Sequence, residues 1–263
     1  MGVNKMLKLN AYQLKWIAIV GMFLQHMLIA WSGIIPAVLR FPLYAVGGVT
    51  FPIMAFFVVE GYRHTSDLER YILRLFVVGL IAAPFHIMVL GLAMGGGNPL
   101  VYPWLNIMFG IILSLFVLLM YDKIKYRAVF WLIYVIIILP VSFLFFEWYF
   151  IGVTMVLLFH IIRNEKARRI VPPVFTGAAW LLLMLMFNVD ASMDIFMAYA
   201  DFPALMAAFA VVCSLVSLLL LGYSGQRGRK AKWLFYIFYP GHFVLLALVG
   251  LALGFIDLSL LGF

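Results

Sequence analysis

Two histidines set deep in apolar runs are the residues of this chain best placed to move a proton. His26 follows Lys15 by eleven positions, about 16 Å along a helix, and Gln25 precedes it. A charged group near mid-membrane costs about 3 kcal/mol on insertion scales, so His26 is expected to be neutral when unliganded. His242 follows Lys232 by ten positions in the last apolar run, about 15 Å deep. Pro240, two residues earlier, has no N–H and disrupts the bond to Tyr236, which leaves that carbonyl open to another partner. Tyr239 and His242 are three apart and share a helix face. Histidines at similar depth on the first and last runs can line one cavity if those helices touch. Each also reads as a polar plug: His26 hydrogen-bonded between helices, His242 beside a proline kink.

A second group sits at a helix end. The run from Phe51 breaks into Glu60-Gly61-Tyr62-Arg63-His64, and the next run carries Arg70 and Arg74. Glu60, Arg63 and His64 share a face if the helix continues. Glu60 is expected to pair with Arg63 or with Arg74, an ion-paired clamp at the mouth of a site. The plainer reading is interfacial charge with Arg63 reaching to the headgroups.

The elements that must position these groups are membrane helices. The chain has 263 residues, 67% of them hydrophobic, with a mean hydropathy of +1.14, far from globular norms. Apolar runs at 12–32, 43–62, 71–91, 104–121, 128–145, 148–162, 173–188, 202–222 and 233–255 predict an all-α, polytopic integral membrane protein of nine spans. Pro140, then Glu147 beside Trp148 and Tyr149, mark a turn at an interface, where Trp and Tyr concentrate. With the N-terminus cytoplasmic, every Lys and Arg except Arg40 falls on the inner side, a strong positive-inside signal. An odd span count puts the C-terminus outside. The first run reads as a signal anchor rather than a cleaved leader, and residues 1–263 as one transmembrane domain.

This topology, with contact to anionic inner-leaflet lipid, accounts for the net charge of +8, so no nucleic-acid partner is called for. Cys213 is the sole cysteine, which excludes a disulfide within the chain or a cysteine metal site. Five scattered histidines lack metal-ligand spacing, and no metal is expected. G-x-S-x-G, Walker and H-E-x-x-H signatures are absent. Asn106, after Pro103 and Trp104, is expected to cap a helix. His86 and His160 read as structural, and Asp190, Asp194 and Asp201 as an acidic outer loop able to attract a cationic acceptor.

Four blocks resemble the TraX family of integral-membrane proteins. They are Leu14-Lys15-Trp16-Ile17-Ala18 leading to Met22 and His26; Phe51-Pro52 through Glu60-Gly61-Tyr62 to His64-Thr65, Tyr71 and Arg74-Leu75; Asn106-Ile107-Met108-Phe109; and Phe235-Tyr236 with Phe238-Tyr239-Pro240 and His242. The second block is the most specific. The chain departs from the family pattern at Gln25, where an aspartate is usual, at Gly48, where an arginine is usual, and at Ala82-Ala83, where a Ser-Glu pair is common.

The resemblance implies a multi-pass acyltransferase of the bacterial inner membrane. It would take an acetyl group from cytosolic acetyl-CoA, a co-substrate, to an amine such as the N-terminus of a peptide or pilin-like protein. On that expectation His26 is the general base and His242 its partner or second proton carrier. Arg63 and Arg74 would hold the CoA phosphates, with Glu60 fixing their geometry and His64 in the same donor-binding group, helped by the basic loops Lys123–Arg127 and Arg227–Lys232. Gln25, Asn106, Tyr236 and Tyr239 would supply supporting polar groups. Two alternatives stay open: a proton-coupled transporter or flippase component, and a non-catalytic subunit of a secretion or conjugation apparatus.

Overall fold

In the computed structural model, residues 8–31, 34–91, 105–186, 202–230 and 232–254 are described; Lys5 and the expected acidic loop with Asp190, Asp194 and Asp201 lie outside them. The described chain is helical: α1 Ala11–Ala30, α2 Ala37–Val46, α3 Thr50–His64, α4 Leu68–His86, α5 Ile107–Lys123, α6 Arg127–Ile133, α7 Leu139–Phe145, α8 Tyr149–Ile161, α9 Glu165–Met186, α10 Phe202–Leu221 and α11 Lys232–Ala252. A tight turn at Gly47–Val49 joins α2 to α3, and wide helical turns extend α4 over Ile87–Gly91 and join α6 to α7 over Tyr134–Ile138. Among the described residues, six rods are long and apolar enough to cross a membrane, including the joined Ala37–His64 and Arg127–Phe145. The polytopic all-α expectation holds for these six of the nine apolar runs.

Local chemistry sets the helix ends. Asn10 and Gln13 form a reciprocal capping box at the start of α1, satisfying two otherwise orphaned N–H groups. The Asp67 carboxylate accepts from the Arg70 N–H at the start of α4, and the Asn106 side-chain oxygen accepts from Met108 N–H at the start of α5. Pro140 lies inside the run 128–145, and the helix continues through it. Arg127–Phe145 runs on as one rod, with a wide turn immediately before the proline taking up the missing hydrogen bond. The interfacial turn comes after it, at Phe146–Trp148.

Packing fixes which helices face the histidines. α1 lies against α2 and α3, α11 against α4 and α1, and α5 bridges α4 and α8. α9 and α10 make the most extensive pairing among the described helices. At that crossing a Cβ on Gly177 would press into the Ala210 carbonyl and the Ser214 hydroxyl. Gly177→Ala is therefore expected to force the two backbones apart at a cost of about 1–3 kcal/mol. Thermal unfolding in detergent checks this, and an unchanged midpoint would mean the crossing is looser than described.

The opposite ends of the bundle differ in chemistry. At one end the first turn of α1, the end of α3, the end of α5 and the end of α8 meet the start of α9 and the loop after α10. Leu9 N–H bonds to Gly222 O, Tyr62 to Asp122, and Arg169 to Tyr223 O there. This is the basic end. At the other, Glu147 N–H bonds to Leu105 O, and the Asn106 side-chain amide donates to Gly79 O at 2.9 Å.

Candidate functional site

α1 and α11 bring the two histidines together. His26 Nδ1 lies 2.8 Å from His242 Nε2, and both side chains are buried. His242 Nδ1 lies 3.1 Å from the Phe238 carbonyl. The ring thus uses Phe238, one turn back on its own helix, and not the Tyr236 carbonyl that Pro240 leaves open. These two contacts assign the protons. A carbonyl only accepts, so His242 Nδ1 carries a hydrogen. A neutral His242 then has its lone pair on Nε2, and His26 Nδ1–H donates to it. The remaining His26 nitrogen, Nε2, is left with a lone pair. Phe243 stacks on His26 with ring centroids 5.0 Å apart, and Phe238 stacks on His242 at 5.3 Å.

His26 lies fifteen residues into α1 and four before its end, about 22 Å from the first turn. The pair therefore sits beyond the middle of α1, on the side away from the basic end. There it meets groups that sequence reading placed elsewhere. Glu147, expected in an interfacial turn, lines the same cavity as His26. Its Oε2 accepts from the Ile107 N–H at 2.9 Å and lies 3.5 Å from His86 Nε2. His86, expected to be structural, is wholly buried, with its ring edge-on to Phe243. Glu147 was missed because its run reads as a simple turn; the signal available was a lone carboxylate between aromatic residues at a helix junction.

That turn has an unusual backbone. Trp148 has φ +67° and Tyr149 φ +47°, the left-handed region that side chains with a Cβ rarely adopt. Two consecutive aromatic residues held there cost on the order of 1–3 kcal/mol each, and such strain gathers at functional sites. Trp148 is clamped by Phe51, 4.7 Å away between ring centroids, and by Trp180 and Phe209 at 5.7 Å each.

Three cavities lie between the basic end and this turn, two of them lined by it. The largest, about 200 Å³, opens at the basic end between Tyr12, Lys15, Tyr71, Arg227, Arg229 and Tyr236. A second, about 80 Å³, holds Gln25, His26, Glu147 and Trp148. Met54, Met108, Ile111, Phe235 and Tyr239 belong to the walls of both, so the two cavities adjoin between the basic end and the histidine. The third, about 90 Å³, lies on the other side of His26 and Glu147 and is lined by Tyr44, Trp148, Trp180 and Phe209.

The remaining expected residues are placed as follows. Glu60 does not pair with Arg63 or Arg74; it binds the Arg168 guanidinium, which also donates to Glu165 and, at 2.8 Å, to the Phe159 carbonyl. Arg168 is buried and already held by the bundle, so it captures the carboxylate. Arg63 donates to the His160 carbonyl at 2.9 Å, tying α3 to the end of α8. His64 is exposed, its ring against the Glu60 carbonyl. The expected clamp of Glu60, Arg63 and His64 is thus spent within the protein. Arg74 keeps a buried Nε without a partner among the described residues, beside Tyr71 and Leu75 of the basic-end cavity.

Gln25 makes no hydrogen bond to an imidazole among the described residues; its side chain fills the space left by Gly47. The next glycine, Gly48, lets α10 approach, since a Cβ there would lie 2.7 Å from the Phe209 carbonyl. Asn106 caps α5 as expected and also ties it to α4. Tyr236 lines the basic-end cavity. Tyr239 lines both adjoining cavities, and its buried hydroxyl has no hydrogen-bond partner among the described residues.

Two comparisons with known proteins match nearly the whole chain. The family described as TraX protein matches residues 10–250. The chain is also similar to "Probable fimbrial assembly protein FimC, serogroup H1" of Dichelobacter nodosus, 30% identical over 257 residues, covering 93% of this chain and 97% of that protein. No solved structure matches the chain.

Proposed function

Because the chain belongs to the TraX family and is a multi-pass protein of the bacterial inner membrane, we propose that it is an acyltransferase moving an acetyl group from acetyl-CoA to an amine. The observation that carries this reading is the His26–His242 hydrogen bond, which leaves a basic nitrogen on a ring that lines a cavity adjoining the one at the basic end. The relative's name supplies the fimbrial context; the acetyl-transfer chemistry is what the family resemblance implies, and the paired histidines are compatible with it.

Amine acylation needs an uncharged amine, a polarised thioester and a place for one proton. His26 Nε2 takes the proton as the amine nitrogen bonds to the acyl carbon. The C–S bond then breaks, and the same nitrogen returns the proton to the departing thiolate. His242 holds His26 in the required tautomer, the part a carboxylate plays in a hydrolase triad. The Tyr239 side chain, which lines both cavities, is a candidate donor to the thioester oxygen. Lys15, Arg227 and Arg229, with Arg74 close by, are the cations available to CoA phosphates. Donor binding thus moves from the Glu60–His64 segment to this cavity. With the basic end cytoplasmic and nine spans, the donor enters from the cytosol.

The test is transfer of label from [³H]acetyl-CoA to a peptide amine in proteoliposomes; no transfer to any primary amine would end the proposal. Arg227→Ala is expected to raise the KM for acetyl-CoA about tenfold with kcat little changed, the signature of one lost charge-assisted contact of about 1.5 kcal/mol. An unchanged KM would remove Arg227 from the donor site. The relative's name, a fimbrial assembly protein, favours a second reading as a non-catalytic assembly subunit, for which stable co-purification with a pilus component and no turnover would speak.

A further inference from the structure

The third cavity is not used by the donor, and its composition is specific. We infer that it is a binding site for a primary ammonium group, with Glu147 as the counter-ion inside an aromatic box. This rests on the acyltransferase reading for its place in the reaction, as the acceptor site, but binding itself does not require that reading.

The carboxylate is prepared for one more partner. Glu147 Oε2 is occupied by the Ile107 N–H and His86, whereas Oε1 has no hydrogen bond among the described residues. The carboxylate is held in place by the polypeptide, through the Glu147–Leu105 backbone bond and the left-handed turn that follows it. The rings that line the same cavity pack on one another, with centroids 5.5 Å apart for Tyr44 and Phe209, 5.8 Å for Trp180 and Phe209, and 6.1 Å for Tyr149 and Trp180.

Aromatic faces attract a desolvated cation, and several of them together with a carboxylate make an ammonium cage. None of the cavity's lining side chains is a lysine or arginine, so the attraction is unopposed. A volume near 90 Å³ is ample for an aminomethyl-sized group. Trp180 adds a buried indole N–H with no acceptor among the described residues, a donor for a carbonyl next to the amine.

His26 borders this chamber and the second cavity alike. An ammonium bound at Glu147 is therefore beside the base that must act on it. Glu147 takes the first proton, R–NH3+ giving R–NH2 and a neutral carboxyl. The amine then attacks the thioester while His26 receives the second proton. Acetyl-CoA and R–NH3+ yield the acetamide, CoA thiol and one released proton.

The experiment is saturation-transfer NMR of glycinamide binding to the full chain in lipid nanodiscs, with N-acetylglycinamide as the uncharged control and [³H]acetyl-CoA binding measured in parallel. Glycinamide is expected to bind and the control not to. Glu147→Gln is expected to weaken glycinamide at least tenfold and Trp180→Leu severalfold, with acetyl-CoA binding unchanged in both. Trp180→Leu is the second variant because it leaves the Ile107 N–H cap intact. Equal binding of glycinamide and its acetylated form, absence of binding to the wild type, or wild-type binding by both variants would overturn the site. Glycinamide binding without acetyl-CoA binding would keep the ammonium site and overturn the acyltransferase reading instead.

Discussion

Replacing His26 with alanine is expected to lower acetyl transfer by a factor of about 10²–10⁴, the usual worth of a positioned general base. The loss should fall on kcat, since the phosphate-binding cations line the other of the two adjoining cavities. His242→Ala removes the acceptor of the His26 Nδ1–H and frees the ring to turn or change tautomer; about 10–100-fold is expected, by analogy with partners that orient metal-bound histidines. His242→Gln offers an acceptor again and should recover part of the rate. The two losses should not multiply in the double variant, because residues acting as one unit are not additive. Rates from purified, monodisperse protein in proteoliposomes decide it. Full activity of His26→Ala would sink the base assignment.

The second large effect is on stability. Arg168 is buried and binds Glu60, Glu165 and the Phe159 carbonyl while lying 5.0 Å from the centroid of the Phe56 ring. Removing Arg168 leaves Glu60 without its bound cation, a loss approaching the ~3–5 kcal/mol of a broken buried pair, whereas removing the half-buried Glu60 leaves the guanidinium with Glu165 and costs less. Glu60→Gln and Arg168→Met are each expected to lower the thermal midpoint in detergent, Arg168→Met by many degrees and Glu60→Gln by fewer. Arg168→Met also strands the Phe159 carbonyl, whereas the Glu60→Gln/Arg168→Met pair should be less harmful than the sum of its parts. If each single variant lost under about 1 kcal/mol, the pair would rank with exposed surface bridges.

The sequence carried the helices and much of the histidine pair, for physical reasons. Apolar runs and their punctuation report membrane burial directly, so the six long rods fall where hydropathy places them. The depths of His26 and His242 follow from counting along a helix. Their contact does not, since it depends on α1 and α11 being neighbours, and nothing in either segment states that. Glu60 shows the limit of local reasoning. Spacing along one helix offers Arg63, but a long-range competitor already fixed by the Phe159 carbonyl wins the carboxylate. Arg168 was one of many basic loop residues, alike in sequence. Glu147 was hidden for a different reason. Its place at the site depends on a backbone conformation, at Trp148 and Tyr149, that aromatic residues seldom take. The departures at Gln25 and Gly48 become intelligible only with the fold, as a side chain laid over Gly47 and a close approach by α10.

The hydrogen bond from His242 Nδ1 to the Phe238 carbonyl has a consequence for the cell's energy supply. A file of imidazoles through an energised membrane is a conductor, since each ring can accept on one nitrogen and release from the other. This file ends after two rings on an oxygen that cannot take up a proton and pass it on. A proton handed from His26 to His242 must return by the way it came. The second ring can therefore orient the base deep in the bilayer without itself adding a branch that drains the proton-motive force.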